Sequence, residues 1–186
     1  CKKCEQPLYT DGIAAVSGTR PDEWRDALNK YKDISLILYY GHSEADWGLL
    51  LDSVKDNPGQ NWTLSLPNVK LGKYWDKQGN YLGSDMRITD LPTKNVKSDA
   101  QIYLFGCNTA NGGRGSIAFT FTNHFQAPTM GVLGYVNFDG YHPDSDRWGF
   151  NTNIFPWVKI GFKWFDVDRF VAPGYQLKPI KPKIQP

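Results

Sequence analysis

Ser35-Leu36-Ile37-Leu38-Tyr39-Tyr40-Gly41-His42-Ser43 is a short, largely apolar run that ends on a glycine and a histidine. A second stretch, Ala100-Gln101-Ile102-Tyr103-Leu104-Phe105-Gly106-Cys107-Asn108-Thr109, repeats that form with a cysteine in the histidine's place. Short runs rich in apolar and aromatic residues and bounded by glycine read as buried strands. A buried strand delivers whatever follows it to the carboxyl edge of its sheet, where open α/β folds bind ligands. One edge is therefore expected to receive His42 and Cys107, each behind a glycine. These are the residue types of a thiol nucleophile and its proton-accepting partner.

The segments around the two runs fit an α/β order. Pro21 with Asp22 and Glu23 opens a helix whose apolar face is Trp24, Ala27, Leu28 and Tyr31. Proline at the first position and acidic residues in the first turn both suit a helix start. Asp33 ends it and the first strand follows, which is half of a βαβ unit. Between the two runs the pattern changes. Trp62, Leu64 and Leu66 alternate, as do Val69, Leu71 and Lys73, and Asp76-Lys77-Gln78-Gly79-Asn80 separates Tyr74-Trp75 from Tyr81-Leu82. This reads as a β-hairpin inserted beside the main sheet. A short helix interrupted at Pro92 is expected within 88–96. After Cys107, Asn111 to Gly115 is a glycine-rich loop, and Ser116 is placed to cap a helix through Ile117, Phe121 and Phe125. The same stretch also fits a strand through Ile117, Phe119 and Phe121. Met130 to Val136 reads as a third strand that runs into Asn137-Phe138-Asp139-Gly140. Trp148, Phe155, Trp157, Phe162, Trp164, Phe165 and Phe170 read as core and cover.

The 186 residues are enough for one well-buried domain. A net charge of +2 with interspersed signs gives no clustered basic surface, so no nucleic-acid partner is expected. No apolar run reaches membrane-spanning length and no signal peptide is visible. The domain is expected over 19–175, after an irregular entry at 1–18 and before a Pro/Lys-rich, extended tail at 176–186. A chain opening on Cys1 reads as part of a longer precursor. Cys1 and Cys4 form a lone CxxC with no second ligand pair, so no metal site and no cofactor are expected. The compartment is not readable from these features.

A cysteine attacks as its thiolate, and His42 can take its proton and later hand one to a leaving amine. Gly41 and Gly106 let the backbone come close to a substrate. The backbone amides of Gly41 and Cys107 are then candidate oxyanion donors.

The strand–Gly-His and strand–Gly-Cys pair resembles the caspase-like fold of clan CD cysteine peptidases, over about residues 20–140. That group includes caspases, gingipains, legumains, separases and CHAT domains. Leu104-Phe105-Gly106-Cys107-Asn108-Thr109-Ala110 and Ser116-Ile117-Ala118 look most like the bacterial CHAT-type and toxin-associated versions. The resemblance implies a three-layer α/β/α domain with a mostly parallel central sheet, carrying the β-hairpin insertion. It implies His42 as catalytic histidine, Cys107 as nucleophile, and a protein or peptide as substrate, cleaved through an acyl-enzyme. The start on Cys1, the Asp76-Lys77-Gln78-Gly79-Asn80 hairpin and the absent signal look similar to C-terminal effector domains of large bacterial toxins, secreted or delivered into a target cell. The specificity pocket in the caspase-like group forms around the His and Cys strand ends and the following strand. Asp139 is then the candidate carboxylate for a basic residue before the scissile bond, with Asp46 as second choice. The chain departs from the group in having Gly-His-Ser for the common Gly-His-Gly, and it lacks the caspase Gln-Ala-Cys.

Two other readings fit the same residues. Gly41-His42-Ser43-Glu44-Ala45 nearly matches the G-x-S-x-G elbow of serine hydrolases, with Asp139 or Asp144 and His142 to complete a triad. A caspase-like fold can also serve as a non-catalytic interaction module.

Overall fold

The computed structural model describes residues 19–134 in full, and the backbone of 137–142, 147–151 and 161–165. Helix α1 spans Pro21–Lys30. Its start is fixed by Glu23, whose Oε2 accepts from the Thr19 and Arg20 amides at 2.7 and 3.1 Å. Helix α2 spans Ile117–Phe125 and is capped by Ser116, whose Oγ accepts from the Phe119 amide at 3.1 Å. The helical reading of this stretch holds over the strand reading because the cap starts the helix and one face, Ile117, Phe121 and Phe125, is buried.

The main sheet holds β1 (Ile34–Tyr40), β8 (Val96–Phe105), β9 (Thr129–Leu133) and β12 (Gly161–Phe165), in the order β1-β8-β9-β12. The first three are parallel and β12 is antiparallel to β9. The chain is thus α/β with a mostly parallel main sheet. Over Leu36–Tyr40 each residue of β1 pairs with the residue 65 positions later in β8, ending at Tyr40 opposite Phe105.

Residues 41–95, between β1 and β8, form the insertion. Here β2 (His42–Glu44), β3 (Gly48–Ser53), β4 (Asn61–Ser65) and β7 (Met86–Arg87) make a second sheet in that order. Strands β5 (Lys73–Trp75) and β6 (Tyr81–Ser84) form the anticipated hairpin. The second sheet is larger than the single hairpin expected from sequence. Its first strand, His-Ser-Glu, is too short and polar to show a pattern. The Val69–Leu71 alternation is not part of a strand: the Val69 amide closes a turn onto the Leu66 carbonyl at 3.1 Å. The helix expected within 88–96 is one 3-10 turn, Ile88–Asp90, which stops before Pro92. Buried Asp85 ties the insertion together by accepting from the Thr63 and Gly72 amides, each at 2.8 Å, and from the Tyr74 hydroxyl at 3.1 Å. Burial, then the neighbouring Asp85 charge, pushes the Tyr74 phenol up to about 12.

Both helices lie on one face of the main sheet. Trp24 of α1 meets Tyr39 of β1 at 6.0 Å between ring centroids and Phe121 of α2 at 6.4 Å. Ile37, Tyr39, Ala100, Ile102 and Leu104 are the buried residues of that face. On the other face burial falls across the strands. Met130 on β9 is buried, Tyr103 and Phe105 on β8 are half-buried, and Leu36, Leu38 and Tyr40 on β1 are 45–54 % exposed. The expected entry at 1–18, the tail at 176–186, and the side chains of the C-terminal aromatics lie outside the described residues.

Gly131 on β9 sets how closely α2 and the segment after Cys107 approach the sheet. A Cβ there would stand 2.8 Å from the Ala118 Cβ and 3.0 Å from the Ala110 amide nitrogen. Gly131→Ala is expected to cost about 1–3 kcal/mol, because the backbone nitrogen cannot move aside cheaply. Gly115→Ala, with nothing within 4 Å of the new Cβ, is expected to stay within about 0.5 kcal/mol. Urea unfolding midpoints of the two variants, equal or reversed in order, would refute this account of the packing.

Candidate active site

The parallel pairing of β1 and β8 brings their carboxyl ends side by side. The Gly41 amide donates to the Phe105 carbonyl at 3.4 Å, which carries the ladder one step past Tyr40. His42 and Cys107 come next, and they keep the same 65-residue offset. The chain then diverges. His42 enters β2 opposite Leu50, with its side chain exposed, and Cys107 opens a turn, half-buried.

That turn is anchored on every side. Asn108 takes a left-handed conformation (φ 58°) and donates its amide to the Gly134 carbonyl at 2.6 Å. The fully buried Thr109 hydroxyl donates to the Leu104 carbonyl at 2.9 Å and accepts from the Val132 amide at 2.8 Å. The Ala110 amide bonds the Val132 carbonyl, and the Ala118 amide bonds the Thr109 carbonyl. The end of β8, the β9 strand and the first turn of α2 therefore hold Cys107 in common. Thr109 was not singled out from sequence. The only visible signal was a small hydroxyl residue directly after a Gly-Cys turn.

Two side chains fix the exit from β1, Ser43 to the end of β8 and Tyr39 to β3. Ser43 is 7 % exposed and its Oγ donates to the Cys107 carbonyl at 2.5 Å. The Tyr39 hydroxyl contacts the His42 carbonyl at 2.5 Å and the Leu50 carbonyl at 3.0 Å. Burial, and then the charge of a Cys107 thiolate, holds the Tyr39 phenol far above its ordinary value, so it stays a donor. The two glycines make room for these contacts. A Cβ on Gly106 would meet Ser43 Oγ at 2.5 Å, and one on Gly41 would meet the Tyr39 hydroxyl at 2.5 Å. Both glycines thus have a steric reason to be glycine, whatever the site does.

The other predicted residues lie on other elements. Asp46 is exposed in the 45–47 turn at the far end of the β2–β3 hairpin, four residues from His42. Asp139 lies in β10 (Asn137–His142), which pairs with β11 (Arg147–Asn151) in a two-stranded sheet of its own. The side chains of Asp139 and His142, and all of Asp144, Cys1 and Cys4, lie outside the described residues. Ser43 stands on a strand that folds into an antiparallel hairpin, where a G-x-S-x-G elbow would open a helix. Among the described residues no three His, Cys, Asp or Glu side chains gather at a metal-binding spacing, and no helix is long and apolar enough to cross a membrane. Comparison with protein-family models, with curated proteins and with solved structures gives no match for this chain.

The Ser43 contact with Gly106 and Cys107 can be tested as a mutant cycle. Gly106→Ala is expected to destabilise by about 1–3 kcal/mol through the clash with Ser43 Oγ. Ser43→Ala is expected to cost about 1–3 kcal/mol through the unpaired carbonyl. In the double variant the clash is eased, so the summed cost should fall short of additivity by at least about 0.5 kcal/mol. Additive costs would show that Ser43 does not occupy the space over Gly106.

Proposed function

We propose that this chain is a cysteine endopeptidase of caspase-like type, with Cys107 as nucleophile and His42 as general acid/base. The observation that carries the reading is the shared register: a parallel β1–β8 pair with a 65-residue offset, and two candidate reactive residues at that offset two residues past its end. Chance placement of a Gly-His and a Gly-Cys in a sheet has no reason to give them the same offset as their strands. The anchoring of the Cys107 turn adds support, because a nucleophile must be held in place before substrate arrives.

The proposed reaction is acyl transfer. The Cys107 proton passes to His42, the thiolate sulfur bonds to the scissile carbonyl carbon, and the C–N bond breaks as His42 returns the proton to the leaving amine. Water, deprotonated by His42, then cleaves the thioester and frees the thiol. The Cys107 amide and, once released from its long bond to Phe105, the Gly41 amide are the proposed oxyanion donors. The full proposal includes a three-layer arrangement and membership of a larger bacterial toxin. It also includes a preference for Arg or Lys before the scissile bond through Asp139, or Asp46 in its place. The burial of Ser43 and its bond to the Cys107 carbonyl weigh against a serine nucleophile.

Three measurements test this. In a crystal structure the Cys107 sulfur and the His42 ring nitrogen are expected roughly 3 to 7 Å apart, and a gap beyond about 10 Å would exclude the dyad. In solution Cys107 of the folded protein is expected to react with iodoacetamide far faster than Cys1 or Cys4, and His42→Ala to slow it near neutral pH. Equal rates in wild type and His42→Ala leave Cys107 as a packing residue. Cys107→Ala is expected to lower peptide hydrolysis by at least about a thousandfold, and cleavage unchanged in that variant would end the proposal. Peptide-library cleavage after basic residues that is lost in Asp139→Ala tests the pocket separately.

A further inference from the structure

Past the Cys107 turn the chain enters a loop whose own chemistry the proposed reaction does not use. Asn111-Gly112 is the one Asn-Gly pair in the sequence, and Gly113, Arg114 and Gly115 follow it. Every other asparagine precedes a residue with a side chain, and the one after Asn57 is Pro58, which has no amide hydrogen. The loop leaves the pair open. Gly112 is exposed and left-handed, with φ at 91°. Its amide donates to no group among the described residues. A Cβ on Gly112 would come no nearer than 3.8 Å to the Ser116 nitrogen, and Cβ atoms on Gly113 or Gly115 would meet nothing within 4 Å. No packing therefore resists movement of this segment. Asn111 itself is half-buried, and its Nδ2 donates to Asn108 Oδ1 at 2.7 Å. A single bond of this kind has modest net strength, so it restrains the side-chain amide without locking it.

We propose that Asn111 is a modification site, where the Gly112 backbone nitrogen displaces ammonia from the Asn111 side-chain amide and closes a succinimide. The Gly112 nitrogen gives its proton to hydroxide and bonds to the Asn111 Cγ. The Cγ–Nδ2 bond then breaks, and ammonia leaves with a proton taken from water. A second water opens the imide at either carbonyl, which leaves aspartate or isoaspartate. Glycine permits the attack because it sets no Cβ beside the nitrogen and reaches backbone conformations closed to other residues. Both products put a carboxylate where Nδ2 was the donor, so the bond to Asn108 Oδ1 is lost in its present sense. Isoaspartate also lengthens the main chain by a carbon atom. That change falls in the turn whose Asn108 and Ala110 amides are bonded to the Gly134 and Val132 carbonyls. The modification therefore acts on the segment after Cys107, whether or not Cys107 is a nucleophile.

The experiment incubates the full folded chain at mildly alkaline pH and follows the tryptic fragment ending at Arg114 by mass spectrometry. A synthetic peptide covering 108–115 is treated in parallel. Fragment ions are expected to place a gain of about 1 Da on Asn111. The rate is expected to lie within about tenfold of the peptide's and to rise with hydroxide. Asn108 and Asn123 should stay intact over the same period. Gly112→Ala is expected to slow the reaction by at least about tenfold, because a Cβ then crowds the attacking nitrogen. Alanine is strained at that φ, so Asn111→Gln serves as a second variant. It keeps a side-chain amide but needs a larger ring, and it should remain unmodified. A folded-state rate more than about tenfold below the peptide's would overturn the proposal, since the fold would then protect the pair. Equal deamidation of Asn108, Asn111 and Asn123, or an undiminished rate in Gly112→Ala, would overturn it as well.

Discussion

The parallel pairing of β1 with β8 is the constraint on which the rest depends. A parallel pair needs a long crossover between its strands, and here residues 41–95 supply it as a small sheet of their own. Parallel strands also end at the same edge. Whatever follows Tyr40 must therefore stand beside whatever follows Phe105. The histidine and the cysteine each follow one of two adjacent strand ends as a result of sheet topology.

Contacts on the helix side then fix how close that neighbourhood is. Ser43 reaches across the strand ends to the Cys107 carbonyl, Tyr39 ties the His42 carbonyl to that of Leu50 on β3, and Gly106 and Gly41 leave the space that these two side chains fill. Thr109 does the same for the turn from below. These bonds all use backbone carbonyls or amides, so they hold the main chain. Leu36, Leu38 and Tyr40 of β1 are exposed on the opposite face of the sheet from these fixing bonds.

Much of the main sheet could be read in the sequence. The Leu36–Tyr40 and Ile102–Phe105 runs have composition and flanking glycines that admit few alternatives, and the α1 helix has both its apolar period and its start signals. The α2 segment was ambiguous between periods of two and 3.6, since Ile117, Phe119, Phe121 and Phe125 satisfy both. The Ser116 cap decided it. The insertion was only half legible. The β5–β6 hairpin shows a turn sequence, while β2 is three polar residues whose strand character comes entirely from pairing with β3. Ser43 was read as a possible nucleophile because the motif G-x-S is local, whereas its bond to a carbonyl 64 residues away is not. Gly41 and Gly106 were read as openings for a substrate. In the fold they are openings for Tyr39 and Ser43, a distinction that needs the third dimension.

The length of the β1–β8 crossover also bears on how the chain assembles. The hairpins of the insertion join near neighbours and can close in microseconds, while the central pair must wait for strands separated by residues 41–95 to meet. Closing that gap through an already folded insertion costs less entropy than closing it through loose chain. The β1–β8 pair is then among the last parts to form, which late hydrogen-exchange protection of Ile34–Tyr40 would register. Until it forms, the nascent chain carries a seven-residue segment, Ile-Ser-Leu-Ile-Leu-Tyr-Tyr, with no charge and no proline. Such a segment pairs readily with copies of itself. Slow closure of the sheet is therefore also the window in which this protein is most open to aggregation.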